Sequence, residues 1–468
     1  MRSALPKPLH PVAGVPMVSR VLAAGRAAQP ARVALVVGSG TANLAERAGL
    51  DVDSVIQDPP RGTGDAVRCA LAASGDAAWI LVLYADHPLL DAATVSRLVD
   101  GALEARARVT VLTCLLPDPG SYGRIERDSD GRPVRIVERA DDTPETRVGP
   151  TEINSGMMVL EASWARDALQ TLQPSPATGE YYLTDLVEIA VAGGAKGNGE
   201  WPVATVLADP AVALGVNDRV QLAAADAEAR RRIRSRLMLG GVTLVGPETI
   251  FVDEDVEVGL DTTLLPFTTL LAGTRVGARC TIGPHATLDS ARIGNDAVVR
   301  ASTLVDSSLG DGSDVGPYAH LRGGTEVGPG VHVGNYAELK NAVLREGVKV
   351  GHVSYVGDTE VGAGTNVGAG TITANYDGFA KHRTEIGADA FIGSDSVLVA
   401  PVRIGTAART GAGAVVTRDV PDGATVVGVP ARVVPRRVAQ KNSIPSDQAA
   451  PVQPDVEHAA PQTNEDGE

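Results

Sequence analysis

Apolar residues follow two different periods along this chain, and the change near residue 240 divides it. Up to about residue 220, short apolar runs at 33–37, 80–83 and 109–112 alternate with stretches of helical spacing. Helices are predicted after Thr63 (GDAVRCALAAS) and after Asp91 (AATVSRLVDGALEARA), where the Asp91 carboxylate suits an N-terminal cap. The alternation predicts an α/β domain with a largely parallel sheet. Residues 218–239 combine strong helix formers, an apolar stripe and a basic last turn before Gly240, which predicts a connecting helix. Beyond Gly241 an aliphatic residue followed by glycine and four variable residues recurs in eleven segments, among them VGARCT, IGPHAT, VGNYAE, VGHVSY, VGAGTN and IGSDSV. Such a period builds a prism-shaped solenoid in which each aliphatic side chain points into the core and each glycine-containing turn makes a corner.

Composition supports the division. Fifty-two glycines beside 3% aromatic residues are foreign to an ordinary globular domain and natural to a tightly turned repeat. A chain of 468 residues needs two or more cores, and the expected organisation is a first domain over 1–217, a linker helix over 218–240, a repeat domain over 241–434 and an acidic, disordered tail over 435–468. The net charge of −15 argues against broad binding of nucleic acid or anionic membranes. No apolar run approaches the roughly 20 residues of a membrane span. Three cysteines, Cys69, Cys114 and Cys280, lie far apart without disulfide or metal-ligand spacing, so a cytoplasmic protein is expected. The opening MRSALPKPLHPVAG carries Ser3, Pro6, Pro8, His10, Pro11 and Gly14, which read as turn-rich chain rather than a signal peptide or a strand.

One interruption of the repeat stands out. Between VGAGTI and IGADAF the chain inserts ITANYDGFAKHRTE, bringing Asn375, Tyr376, Asp377, Lys381, His382 and Arg383 together on a loop projecting from a rigid solenoid, a common location for a site.

These segments resemble one enzyme family closely. LRGGTEVGPGVHVGNYAELK, GHVSYVGDTEVGAGTNVGAGTITANYDGFAKHRT and IGSDSVLVAPV, preceded by LPKPLHPVAG, RGTGDAV, YADHPLL, SYGRI, EINSGMMV, GEYYLTD and GVNDR, are similar to the bacterial bifunctional N-acetylglucosamine-1-phosphate uridylyltransferases and glucosamine-1-phosphate N-acetyltransferases. The resemblance runs in order over nearly all of residues 1–430. It implies an α/β Rossmann-like nucleotidyltransferase domain followed by a left-handed parallel β-helix of hexapeptide repeats, assembly into a homotrimer, and synthesis of UDP-N-acetylglucosamine for peptidoglycan.

For acetyl transfer the resemblance implies His352 as general base, an imidazole suiting proton removal at neutral pH. It implies Arg322, Lys340, Tyr355, Asn366, Asn375, Tyr376 and Lys381 as the sugar-phosphate pocket, Asn375 also holding or polarising the base. Acetyl-CoA is expected along Ala369, Asn375, Tyr376, Ser394 and Ala412, with its phosphates near Arg432, Arg436 or Arg437. One forked and one point cation serve a phosphate monoester well.

For uridylyl transfer from UTP the resemblance implies Asp86 and Asn217 as Mg2+ ligands, oxygen donors of the kind magnesium prefers. Lys7 is expected on the phosphates, Gln57, Gly62 and Thr63 on the uracil, and Gly123, Glu138, Asn154 and Thr184 on the sugar, with Tyr84 beside them. Ala85 replaces the family's glycine. The family's chain also begins with an apolar strand and a glycine-rich loop before the Ser, Leu, Pro and Lys seen here, so two open strand edges and weak uridylyl transfer by residues 1–468 are expected, with a start placed too late as the explanation. Two other readings fit parts of the pattern: a monofunctional acetyltransferase with a vestigial first domain, and a non-catalytic trimeric scaffold that binds sugar nucleotide or coenzyme A.

Overall fold

A computed structural model describes residues 1–434 apart from 121, 139–149, 177 and 197–198, and the backbone alone at 73 and 74. The tail over 435–468, with Arg436 and Arg437, lies outside the described residues. The first domain runs β1 (Pro11–Val12), β2 (Val15–Pro16), α1 (Met17–Arg26), β3 (Ala34–Gly38), α2 (Leu44–Arg47), β4 (Asp53–Gln57), α3 (Thr63–Ala70), β5 (Trp79–Val82), α4 (Ala92–Ala105), β6 (Val109–Leu116), β7 (Arg124–Arg127), β8 (Pro133–Val137), β9 (Thr151–Glu161), α5 (Ala162–Thr171), α6 (Asp185–Ala192) and β10 (Val203–Ala208). The Asp91 carboxylate does cap α4, accepting from the Thr94 N–H at 2.8 Å.

The expected parallel sheet is a mixed one. Its order is β10-β6-β9-β7-β8, with β5 on β9; β10 and β6 are parallel, whereas β9 runs antiparallel to β5, β6 and β7. The reversal begins at a hairpin that the α/β pattern did not announce: the Asp128 carboxylate accepts from the Asp130 and Arg132 N–H groups and turns β7 back into β8. β9 is buried along nearly all its eleven residues, as a central strand must be. β3 and β4 form a separate parallel pair. Among the described residues β3 pairs with β4 alone and β5 with β9 alone.

The linker forms α7 (Arg219–Leu239), capped by Asp218, whose carboxylate accepts from the Gln221 N–H at 2.8 Å. Its buried stripe is Ala225, Ala229, Ile233 and Leu237, one residue per turn. That stripe is continuous with Val12, Met17 and Leu89 of the first domain and with Val242, Ile250 and Val252 of the first repeats. The two domains therefore share one core through α7.

The repeats wind into a left-handed β-helix of three sheets with 12, 10 and 9 strands, parallel except for the last pair of the 12-stranded sheet. Corresponding strands stack in register, so Leu304, Leu321, Leu339 and Val356 form one apolar ladder inside the prism. At the corners coils approach closely: a Cβ on Gly277 would fall 2.6 Å from the Gly294 carbonyl oxygen. Leu339 is fully buried, and truncation leaves a hole that neighbouring coils cannot close. Leu339→Ala is expected to destabilise the β-helix by about 2–5 kcal/mol, read from its denaturant midpoint.

Candidate active sites

In the first domain the turn after β5 and the loop before α7 bring Asp86, Asn217 and Lys7 to one point. The Lys7 Nζ lies 2.6 Å from Asp86 Oδ2 and 2.6 Å from Asn217 Oδ1. An ammonium held equally by two side-chain oxygens marks where those oxygens converge. Burial opposes ionisation of Asp86, but the His87 hydrogen bond at 2.9 Å and the Lys7 ammonium outweigh it and hold the carboxyl at about 2. The donor set is anionic and hard, the kind that holds Mg2+ when phosphate oxygens and water complete the shell.

Next to this point a closed circuit of contacts joins the other residues. The Tyr84 hydroxyl bonds Thr63, and the Thr63 Oγ1 accepts from the Leu183 N–H at 3.1 Å. Thr184 Oγ1 donates to Glu138 Oε1 at 2.9 Å. A Cβ on Gly123 would fall 3.2 Å from Glu138 Oε2, and the Gly123 carbonyl accepts from the Asn154 N–H at 2.8 Å. The Asn154 Oδ1 accepts from the Gly156 N–H at 2.8 Å, and Gly156 packs under the Tyr84 ring. Burial pushes the Tyr84 phenol up to about 12, so it stays a neutral donor. Gln57 donates to the Gly62 carbonyl at 3.0 Å and to Asp65 Oδ2 at 2.9 Å, which fixes the turn into α3. Every first-domain residue singled out from the sequence thus lies at the metal-like point, on the circuit or in that turn. Ala85 packs with Leu9, Val18, Val37 and Leu44.

In the repeat domain Arg322 and Lys340 stand in register on successive coils of the 10-stranded sheet. The inserted loop folds back as a tight bridge between Tyr376 and Lys381, with the Asp377 carboxylate accepting from the Phe379 and Ala380 N–H groups and from His382. This delivers the Lys381 ammonium beside that of Lys340. Lys381, with a smaller contribution from Arg322, holds the Lys340 ammonium below the usual lysine range. Two carboxylates stand beside these three cations: Arg322 donates twice to Glu338 Oε1, at 3.0 and 2.6 Å, and Asp358 partly offsets the effect of Lys381 on Lys340. Tyr355 lies on the same sheet, its hydroxyl near Gly357, the residue in register with Lys340.

His352 occupies the corner between the 12-stranded and 10-stranded sheets. Ala369, Ser394 and Ala412 follow it on successive coils of that corner, linked by the bonds Gly370 N–H to His352 O (3.1 Å), Asp395 N–H to Ala369 O (2.7 Å) and Gly413 N–H to Ser394 O (2.8 Å). The imidazole therefore heads a column of small residues. Asn366 stands around the corner on the 12-stranded sheet, paired with Lys349 and Phe391. The chain brings Arg322, Lys340, Tyr355 and Lys381 together, but not Asn366. Asn375, expected to hold or polarise the base, has its amide tied to Asp358 within one chain, and the side chain bonded to His352 Nδ1 there is Asn335. Arg432 is described, its Nη1 donating to the Ala431 carbonyl at 3.0 Å.

Glu338, Asp358, Asn335 and His87 went unmarked in the sequence. Asn335 was findable: it precedes His352 by 17 residues, one full coil.

The family of MobA-like NTP transferase domains matches residues 1–120. The chain is 44% identical to the bifunctional protein GlmU of Pelobacter propionicus over 432 residues, 91% of this chain and 92% of that protein. It is 42% identical to GlmU of Geobacter sulfurreducens over 442 residues, 90% of this chain and 92% of that one. With GlmU of Mycobacterium tuberculosis it shares 40% over 451 residues, 94% of this chain and 90% of the relative. With both domains covered at this identity, the chain belongs to the GlmU family of bifunctional acetyltransferases and uridylyltransferases.

Proposed function

We propose that the repeat domain transfers an acetyl group from acetyl-CoA to glucosamine 1-phosphate and that the first domain then joins the product to the α-phosphate of UTP, giving UDP-N-acetylglucosamine and pyrophosphate. The observation that carries the first step is the meeting of Arg322, Lys340 and Lys381. A solenoid gains nothing by crowding cations, whereas a phosphate monoester compensates all three at once. With the phosphate held there, the substrate amine loses its proton to His352 and attacks the thioester carbonyl carbon. The carbon–sulfur bond breaks, and the coenzyme leaves along the column of Ala369, Ser394 and Ala412 as a thiolate that takes up the second proton shed by the nitrogen as the amide forms.

For the second step, Mg2+ held by Asp86 and Asn217 would neutralise charge on the UTP phosphates. Lys7 is placed to follow those phosphates, and the circuit from Thr63 to Tyr84 is placed for uracil and sugar. Displacement in such a site rests on positioning and charge neutralisation. The working form we propose is a cytoplasmic homotrimer. Support for assembly comes from the His352 corner, where Tyr318 and Tyr336 stack in the open at 5.3 Å and Val353 is exposed, and from Asn366, which one chain leaves apart from the cations. No helix among the described residues is long and apolar enough to cross a membrane.

The test of the phosphate reading uses stability and binding together. Without an anion, the Lys340 and Lys381 ammonium groups repel. Because the folded state holds Lys340 below its ordinary value, stability rises with pH from that lowered value up to the unfolded value near about 10.4. Lys381→Ala is therefore expected to raise the melting temperature in anion-free buffer, to flatten that alkaline rise, and to lose the stabilisation that glucosamine 1-phosphate gives the parent protein. A variant that melts lower without ligand and keeps the full ligand response would sink the assignment.

A further inference from the structure

Asn335 and His352 occupy equivalent corner positions on neighbouring coils, with Val333 and Val350 in register before them and the Val353 N–H donating to the Asn335 carbonyl at 3.0 Å. The side chains meet as well: Asn335 Oδ1 is bonded to His352 Nδ1. Gly334, between them and the core, makes the approach possible, since a Cβ there would collide with the Gly351 carbonyl oxygen and fall 3.2 Å from His352 Nδ1.

A neutral imidazole carries one proton, and a free histidine side chain keeps it mainly on Nε2. That tautomer has no lone pair at Nε2, the nitrogen left open when Nδ1 is engaged. An acceptor at Nδ1 reverses the preference by drawing the proton there, and it also holds the second N–H of the imidazolium once a proton arrives. An amide oxygen does this without the charge a carboxylate would add. Presenting Nδ2 instead would force the proton onto Nε2 and block the base.

We infer that Asn335 is a positioning residue for acetyl transfer, its Oδ1 accepting the Nδ1 proton of His352 so that Nε2 keeps the lone pair that takes the proton from the substrate amine. The inference rests on the proposed role of His352 as base. It adds the group that selects the reactive nitrogen, beside the holding or polarising role that the resemblance implies for Asn375.

The test uses the full chain, with acetyl transfer followed as coenzyme A thiol release and the ring nitrogens followed by NMR of the protein labelled with ¹⁵N-histidine. Asn335→Ala is expected to lower kcat about tenfold to a hundredfold, with KM for glucosamine 1-phosphate and acetyl-CoA within about twofold. The neutral His352 signal should pass from the Nδ1–H to the Nε2–H form. Asn335→Asp, which keeps an acceptor, is expected to retain the Nδ1–H form and to stay within about tenfold of the parent kcat. Asn335→Ala with an unchanged kcat, or with the Nδ1–H signal intact, overturns the inference, as does Asn335→Asp with the Nε2–H form. His352→Ala separates the two levels. If it keeps acetyl transfer, the base assignment falls and the inference with it; if it loses acetyl transfer while Asn335→Ala does not, the positioning role alone fails. In a His352→Ala background Asn335→Ala should cost nothing more.

Discussion

Replacing His352 by alanine is expected to lower kcat for acetyl transfer by about 10² to 10⁴ while leaving KM for glucosamine 1-phosphate nearly unchanged. The split follows from where the groups stand. His352 is on the corner, whereas the cations proposed to bind the phosphate sit along the 10-stranded sheet, Arg322 and Lys340 in register and Lys381 delivered by the inserted loop. Binding through the phosphate therefore survives the loss of the imidazole, and only removal of the ammonium proton suffers. His352 is exposed and makes no contribution to the apolar ladders, so the variant should melt with the parent. Thiol release measured at saturating acetyl-CoA decides the matter: a rise in KM with unchanged kcat would make His352 a binding residue and leave the base unidentified.

Legibility in the sequence followed the physics of each part. The solenoid was readable because one period repeats along the chain, and each aliphatic residue at that period is an inward side chain. Helix α4 was readable at its cap, Asp91, where a short-range signal fixes the boundary, and α7 from its helix formers and the glycine that ends it. The mixed sheet was not: strand direction is a long-range property, and the hairpin at Asp128 is a local turn whose consequence appears only when β9 pairs with β5, β6 and β7. The same distinction holds at the sites. Arg322, Lys340 and Lys381 were named together from the resemblance, but the repulsion between Lys340 and Lys381 comes from a loop folding back across coils. Asn335 went unmarked because it is near His352 in space only through the repeat, whereas Asn375, named from the resemblance, has its amide tied to Asp358 within one chain.

Asp86→Asn is expected to lower uridylyl transfer, measured as pyrophosphate release, by roughly 10² to 10³, with acetyl transfer in the same sample unaltered. The substitution keeps an oxygen at the same reach and removes only the charge. In the parent that charge is held by Lys7 and His87, and the carboxyl stays ionised down to about 2. If Asp86 and Asn217 hold Mg2+, the variant should need a much higher magnesium concentration for half-maximal rate, because a neutral amide is a weaker ligand than a carboxylate. Lys7→Ala should move the other way in magnesium, since it removes an ammonium lying 2.6 Å from both oxygens, while the rate falls for want of a phosphate contact. Opposite shifts from two substitutions at one point are the signature of cations sharing that point. Equal shifts, or none, would mean that the Asp86–Lys7 pair is a structural ion pair that ties the loop before α7 to the turn after β5, and the metal would have to be sought elsewhere in the first domain.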